Sequence, residues 1–246
     1  MRKFVDLHLC PSIENLDQVE NMVKKSSELG YHIVGISLPP DIKRDEISQL
    51  QKICRDSKTD LVTRVDFTPK TRRELLNNLR RFRRRFEVIS VICTSKTIAR
   101  QAAKDRRVDI LSFPSTDPRG RFFDDAEAEL ASKALSSFEI DITLLLSSKG
   151  FSRVRLLSCL RKEVAIAKKF RVPVVISSGA TCEHLMRGPH DYASLAFLFN
   201  VTPSLALRAL SEDPLAMVER NRGKLSPDYV VEGVRIIRRK NDCLDV

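Results

Sequence analysis

A chain of 246 residues carries 43 Lys and Arg against 32 Asp and Glu, a formal charge of +11 and a pI near 9.6, with 42% apolar residues. That composition sets aside a disordered chain and a small disulfide scaffold, and it points to a folded, basic protein with an anionic partner. No 18-residue apolar stretch and no leader pattern at Met1 are found, so neither a membrane span nor export is expected, and a cytoplasmic location follows.

Short β-branched runs alternate with helix-length amphipathic segments, the pattern of parallel strands joined by crossover helices. Seven strands are read, at residues 3–9, 32–38, 61–67, 87–93, 108–113, 139–145 and 172–177. Helices of about four turns lie between them, as at 16–29 with Gly30 as its stop, 45–55 and 153–170. Residues 70–85 form a further helix with eight basic residues and one acid. Leu75, Leu79, Phe82 and Phe86 make its buried stripe, while Arg73, Arg80 and Arg84 share a second face flanked by Arg72, Arg81, Arg83 and Arg85. So dense a positive surface repels itself until an anion arrives; the plainer reading is a solvated helix face.

After Gly188 the chain reads mainly helical, with Pro203 and Pro214 near two helix starts. No eighth strand is evident unless 229–237 supplies one. The expected architecture is α/β: a TIM-like (β/α) barrel with about seven evident parallel strands, an irregular eighth unit and extra C-terminal helices. An open doubly wound sheet is the alternative, but no G-x-G-x-x-G or Walker run follows the first strand. No Pro/Gly/Ser-rich linker divides the chain, so one domain over 1–246 is expected, irregular and helical from about 203. The six cysteines, Cys10, Cys54, Cys93, Cys159, Cys182 and Cys243, stand singly and read as reduced thiols.

In a parallel barrel, alternate residues face the interior and the C-terminal strand ends form the mouth. If Val5, Leu7 and Leu9 face the helices, then Asp6 and His8 point inward, as do Arg64, Asp66, Asp109, Glu139, Asp141 and Ser177. Buried charges must be paired or ligated. One reading is a metal centre for phosphoester hydrolysis. The other is a charge network of Arg64 with Asp66, Asp109 or Asp141, shaping a pocket for one phosphate or sulfate. Only His8, His32, His184 and His190 exist, too few imidazoles at the mouth for a histidine-rich metal site. Ser177, Ser178, Gly179 and Ala180 follow an apolar strand and could offer backbone N–H groups to an anion if a helix starts at Thr181 or Cys182, although a tight turn serves equally. A Ser177, His8 and Asp6 triad lacks a nucleophile elbow.

The runs FVDLHL, TRVDF, RVDILSFPS, FEIDITLLL, VPVVISSGA and RGPHDYASLAFLF, in that order, resemble successive motifs of the ribonuclease P protein component 3 family, the archaeal counterpart of the thirty-kilodalton eukaryotic subunit. The resemblance spans about residues 3–199. It implies a TIM-like barrel that is a protein subunit of the endonuclease removing the tRNA 5′ leader, in which RNA carries the catalytic centre. The family is similar in fold to the polymerase and histidinol phosphatase metallohydrolases, whose first strand ends in His-x-His. Here the run is His8, Leu9, Cys10, so the second imidazole is missing.

On this reading the chain holds no catalytic residue, no metal and no cofactor of its own, and Mg2+ serves the RNA-based holoenzyme. Arg73, Arg80, Arg81, Arg84 and Arg85, with Arg107, Arg119, Arg121, Lys149 and Arg153 from loops, are the expected contacts to ribonuclease P RNA. His8, Arg64, Asp66, Ser177 and Ser178 form the expected charge network or anion site at the mouth. With no Trp and three Tyr, few aromatic platforms are expected, which favours backbone and shape recognition. The resemblance also implies protein component 2 and other ribonuclease P subunits as partners, in a two-fold assembly, with precursor tRNA met indirectly. The apolar run 192–201 is a candidate protein surface, or else barrel-covering core. A metal-dependent phosphoesterase with a degenerate site, and a scaffold for an acidic protein, are the rival functions.

Overall fold

The computed structural model describes residues 2–231 and 234–236. In chain order it places β1 (Phe4–Leu9), α1 (Leu16–Glu28), β2 (Tyr31–Ser37), α2 (Arg44–Asp56), β3 (Asp60–Phe67), α3 (Arg72–Phe82), β4 (Val88–Ile92), α4 (Lys96–Ala103), β5 (Ile110–Ser112) and α5 (Asp125–Ala134). Then come β6 (Ser137–Asp141), α6 (Ile142–Ser147), α7 (Gly150–Phe170), β7 (Val174–Ser177), α8 (Pro189–Ala196), α9 (Pro203–Ala209), α10 (Glu212–Leu225), β8 (Tyr229–Val231) and β9 (Val234–Arg235).

β1 to β7 pair in sequence order, each parallel to the next. The ring closes only at its C-terminal end, where Leu9 bridges Ala180, Cys10 N–H donates to the Ala180 carbonyl at 2.8 Å and Gly179 N–H to that of His8 at 3.0 Å. Toward the other end, Val5 N–H donates to the carbonyl of Leu210 at 2.9 Å, so the chain entering α10 takes the place of an eighth strand. α10 then inserts Met217 and Val218 among Val5, Leu7, Ile33, Val62, Val88, Ile110 and Val175. This apolar layer fills the lower interior, and the larger outer core packs strands against helices.

Several expectations are corrected. Val5 and Leu7 face the interior, and Asp6 lies on the outer side of β1 near Tyr31 and Tyr192. His8 nevertheless points inward, because the pairing jumps from Asp6–Val34 to Leu9–Ile36, an extra residue that forms a β-bulge. Two features hold it: Asp6 Oδ1 accepts N–H bonds from His8 (3.1 Å) and Ser178 (3.0 Å), and Gly35 leaves room for the Leu7 carbonyl, which a Cβ would meet at 2.5 Å. A strict two-residue alternation cannot foresee such a bulge.

The sixth strand ends at Asp141 rather than 145, because the apolar run after it buries Ile142 and Leu145 as α6; a short apolar run fits either element. The segment expected to add an eighth strand forms β8 and β9, an antiparallel pair apart from the barrel. Residues 237–246, with Cys243 and the end of the expected irregular C-terminal part, lie outside the described residues.

Candidate nucleic-acid interface and barrel mouth

α3 is set by Thr71, whose hydroxyl accepts the Glu74 N–H at 3.1 Å, while the Glu74 carboxylate accepts the N–H of Lys70, the residue before the cap, at 2.8 Å. Leu75, Leu79 and Phe82 anchor the helix to the core and Phe86 follows them. The helix stops at Phe82 and not at 85. Arg83 turns beneath the barrel to Asp109, and Arg85 donates to the carbonyls of Pro40 (3.1 Å) and Ile42 (2.9 Å). Arg85 thereby keeps its charge unneutralised, and with Arg72, Arg73, Arg80, Arg81 and Arg84 it makes an exposed band, none of it paired with a carboxylate among the described residues. Arg81 lies over the Phe82 ring at 4.9 Å, which steadies its guanidinium.

The expected loop cations divide. Arg119 and Lys149 are exposed, and exposed Arg153 donates to the carbonyls of Ser148 (2.7 Å) and Leu146 (3.3 Å), which leaves its charge unneutralised. Arg107 is paired with Asp105 at 2.7 Å. Arg121 is not a surface contact. Its side chain is 3% exposed, bound in fork fashion to buried Glu163 at 2.8 and 2.6 Å and to the carbonyls of Phe113 and Ser115. Glu163, its partner on α7, carried no signal in the sequence beyond being one acid on a basic helix.

At the mouth, Arg64 is wholly buried, and its five N–H donors face six acceptors, three of them sharing the two hydrogens of Nη2. Nη1 and Nη2 reach the two oxygens of Glu139 at 2.5 and 2.7 Å, Nε and Nη2 reach Asp66 at 3.0 and 2.8 Å, and Nη1 and Nη2 reach the Leu7 carbonyl and the Ser90 hydroxyl at 3.1 Å. His8 Nδ1 stands 2.8 Å from Asp141 and its Nε2 3.7 Å from Asp66. Burial and the Arg64 charge oppose protonation of His8, yet the Asp141 and Glu139 carboxylates outweigh them and its pKa lies well above the ordinary value. Burial likewise works against the Asp66 carboxylate, but Arg64 and His8 hold its pKa well below the usual range. Asp109 takes no part. It faces outward at the foot of the barrel, between Arg83 and Arg220.

The mouth side chains join in a charge network that leaves no pocket for the phosphate or sulfate expected with it. Arg64 and His8 face Asp66, Glu139 and Asp141, so no positive surplus greets a phosphate. Ser177 Oγ donates to Glu139 at 2.7 Å and Ser178 Oγ to the His8 carbonyl at 2.9 Å. The N–H groups of Ser178, Gly179 and Ala180 are all taken, by Asp6, the His8 carbonyl and Ser178 Oγ, and a single 3-10 turn at Glu183–Leu185 follows where a helix would need to start. The His8, Glu139 and Asp141 ligand atoms lie within 4.8 Å of one another, the spacing a metal ion could use. Glu139 has both oxygens engaged by Arg64, while Asp141 is held by His8 Nδ1.

Elsewhere, Tyr192, Ala193, Ala196, Phe199 and Val201 of the apolar run are buried, while Phe197 is 70% exposed, so most of that run covers the barrel. Cys10, Cys54, Cys93, Cys159 and Cys182 are free thiols, as their spacing suggests. No helix among the described residues is long and apolar enough to cross a membrane.

Proteins named ribonuclease P protein component 3 are similar along nearly the whole chain. The one from Methanococcoides burtonii is 28% identical over 96% of this chain and 94% of its own, and the one from Methanosarcina barkeri 29% over 96% of each. A chain in the cryo-EM structure of archaeal ribonuclease P with mature tRNA superposes with a TM-score of 0.83 at 25% identity, over 96% of this chain and 99% of that one. The family model described as RNase P subunit p30 matches residues 3–226, and the chain belongs to that family.

Proposed function

We propose that this chain, as a protein subunit of ribonuclease P, binds and steadies the RNA that itself removes the 5′ leader of precursor tRNA, and that it performs no chemistry alone. The observation that carries this is the exposed band of Arg72, Arg73, Arg80 and Arg81 on a helix whose other face is locked into the core, continued by Arg84 and Arg85 just past its end. Each such arginine that meets a phosphate releases a condensed counterion, so affinity follows salt steeply. Arg119, Lys149 and Arg153 extend the cationic surface, and Arg107 adds to it less because Asp105 shares its charge. The divalent ions, Mg2+ above all, belong on this reading to the RNA. Protein component 2 and further subunits are its protein partners.

The test is reconstitution of precursor tRNA cleavage at moderate Mg2+, with the RNA, the partner subunits, and this chain present or omitted. Adding the chain raises cleavage, and Arg73→Ala, Arg80→Ala and Arg84→Ala together reduce the slope of log affinity against log salt by roughly two to three. Cleavage unchanged by the chain, or binding flat in salt, refutes the reading. A phosphoesterase reading has no comparable support, since Arg64 already engages Glu139 and Asp66 and His8 already engages Asp141.

A further inference from the structure

α7 starts with an exposed ring in cationic surroundings. Phe151 is 86% exposed, the most exposed large apolar side chain among the described residues, and Val154, on the same helical face three residues on, is 64% exposed. From Ile142 to Lys162 the sequence holds five cations, Lys149, Arg153, Arg155, Arg161 and Lys162, and no acid. None of the five is paired with a carboxylate among the described residues, and Arg153 and Arg161 donate to backbone carbonyls instead. The first turn of α7 has no acidic residue and no side-chain cap, so its N–H groups and the positive end of the helix dipole point at solvent beside Phe151.

We infer that Phe151 and the N-terminal turn of α7 form a site for one unpaired nucleotide of single-stranded RNA: the base stacks on the Phe151 ring and its phosphate meets the turn with Lys149 and Arg155. This rests on the RNA-binding reading and adds to it a contact of a different kind. An exposed ring among unneutralised cations is the pairing that single strands use, base face on aromatic and backbone on charge. Duplex bases are stacked on each other and offer no free face. Because α6 and α7 follow β6, the site stands at the rim of the barrel mouth.

The chain contains no tryptophan, so Phe151→Trp places a unique fluorophore at the site. With the full chain, a ten-nucleotide unstructured RNA quenches the emission of that variant, and a blunt RNA duplex of equal charge does not. Phe151→Ala binds the single strand about tenfold more weakly, the loss of one stacked base, with its salt slope unchanged and its melting temperature that of the parent. Arg155→Ala lowers the slope instead. Equal affinity of Phe151→Ala and parent, or emission that responds to an added protein subunit and not to RNA, overturns the inference. If Phe151→Ala matches the parent while binding of structured RNA stays salt-dependent, only this site fails. If neither RNA binds, the RNA-binding reading fails with it.

Discussion

Arg64→Met tests whether the barrel mouth is held by its internal cation. The substitution keeps most of the side-chain volume but removes every guanidinium donor to Glu139 and Asp66, leaving Glu139 wholly buried with the Ser177 hydroxyl as its remaining hydrogen-bond donor and the His8 ring 3.9 Å away. Breaking one side of a buried pair costs ~3–5 kcal/mol, because the surviving charge stays desolvated. For a chain of this size that corresponds to a fall in melting temperature on the order of 10 °C. Removing the partner as well, in Arg64→Met with Glu139→Gln, recovers a large part of the loss, since the surviving group no longer carries an unpaired charge. The measurement is urea unfolding of parent, both single variants and the double variant at pH 7, repeated at high salt, which leaves a buried pair nearly untouched. RNA binding by folded Arg64→Met keeps the parental salt slope. A loss below about 1 kcal/mol for the single variant, or singles that simply add in the double, refutes the reasoning.

Glu127 is buried on α5 with neither carboxylate oxygen hydrogen-bonded, and burial first, then neighbouring Asp124, push its pKa up to about 8. The folded state therefore binds the proton more tightly than the unfolded chain, and stability declines as pH rises from about 4.5 to about 8. Glu127→Gln removes that decline, so its gain in melting temperature over the parent is larger at pH 8 than at pH 5; parallel profiles would contradict the sign. Arg121→Ala strands buried Glu163 and costs ~3–5 kcal/mol in urea unfolding, whereas Arg119→Ala, two residues away and exposed, stays within about 0.5 kcal/mol. Equal effects would mean the fork to Glu163 contributes nothing. Gly35→Ala sets a Cβ 2.5 Å from the Leu7 carbonyl, a backbone atom that cannot swing aside, and destabilises by ~1–3 kcal/mol; a silent substitution would show that the bulge at His8 does not depend on that close approach.

The order of elements was legible because burial repeats with period 2 along strands and 3.6 along helices, and each period is local. The core stripe of Leu75, Leu79 and Phe82, the inward set Arg64, Asp66, Glu139 and Asp141, and the cationic character of α3 all follow from such spacing. What local periodicity carries no trace of is which charges meet. Arg83 and Arg84 are adjacent arginines, yet one bends to Asp109 and the other faces water, because only one lies where the chain turns under the barrel. Arg121 looked like a loop cation until α7 brought Glu163 against it. Long-range pairing of this kind, like the plug that α10 makes from Met217 and Val218, depends on where distant segments come to rest, and only the tertiary structure decides that.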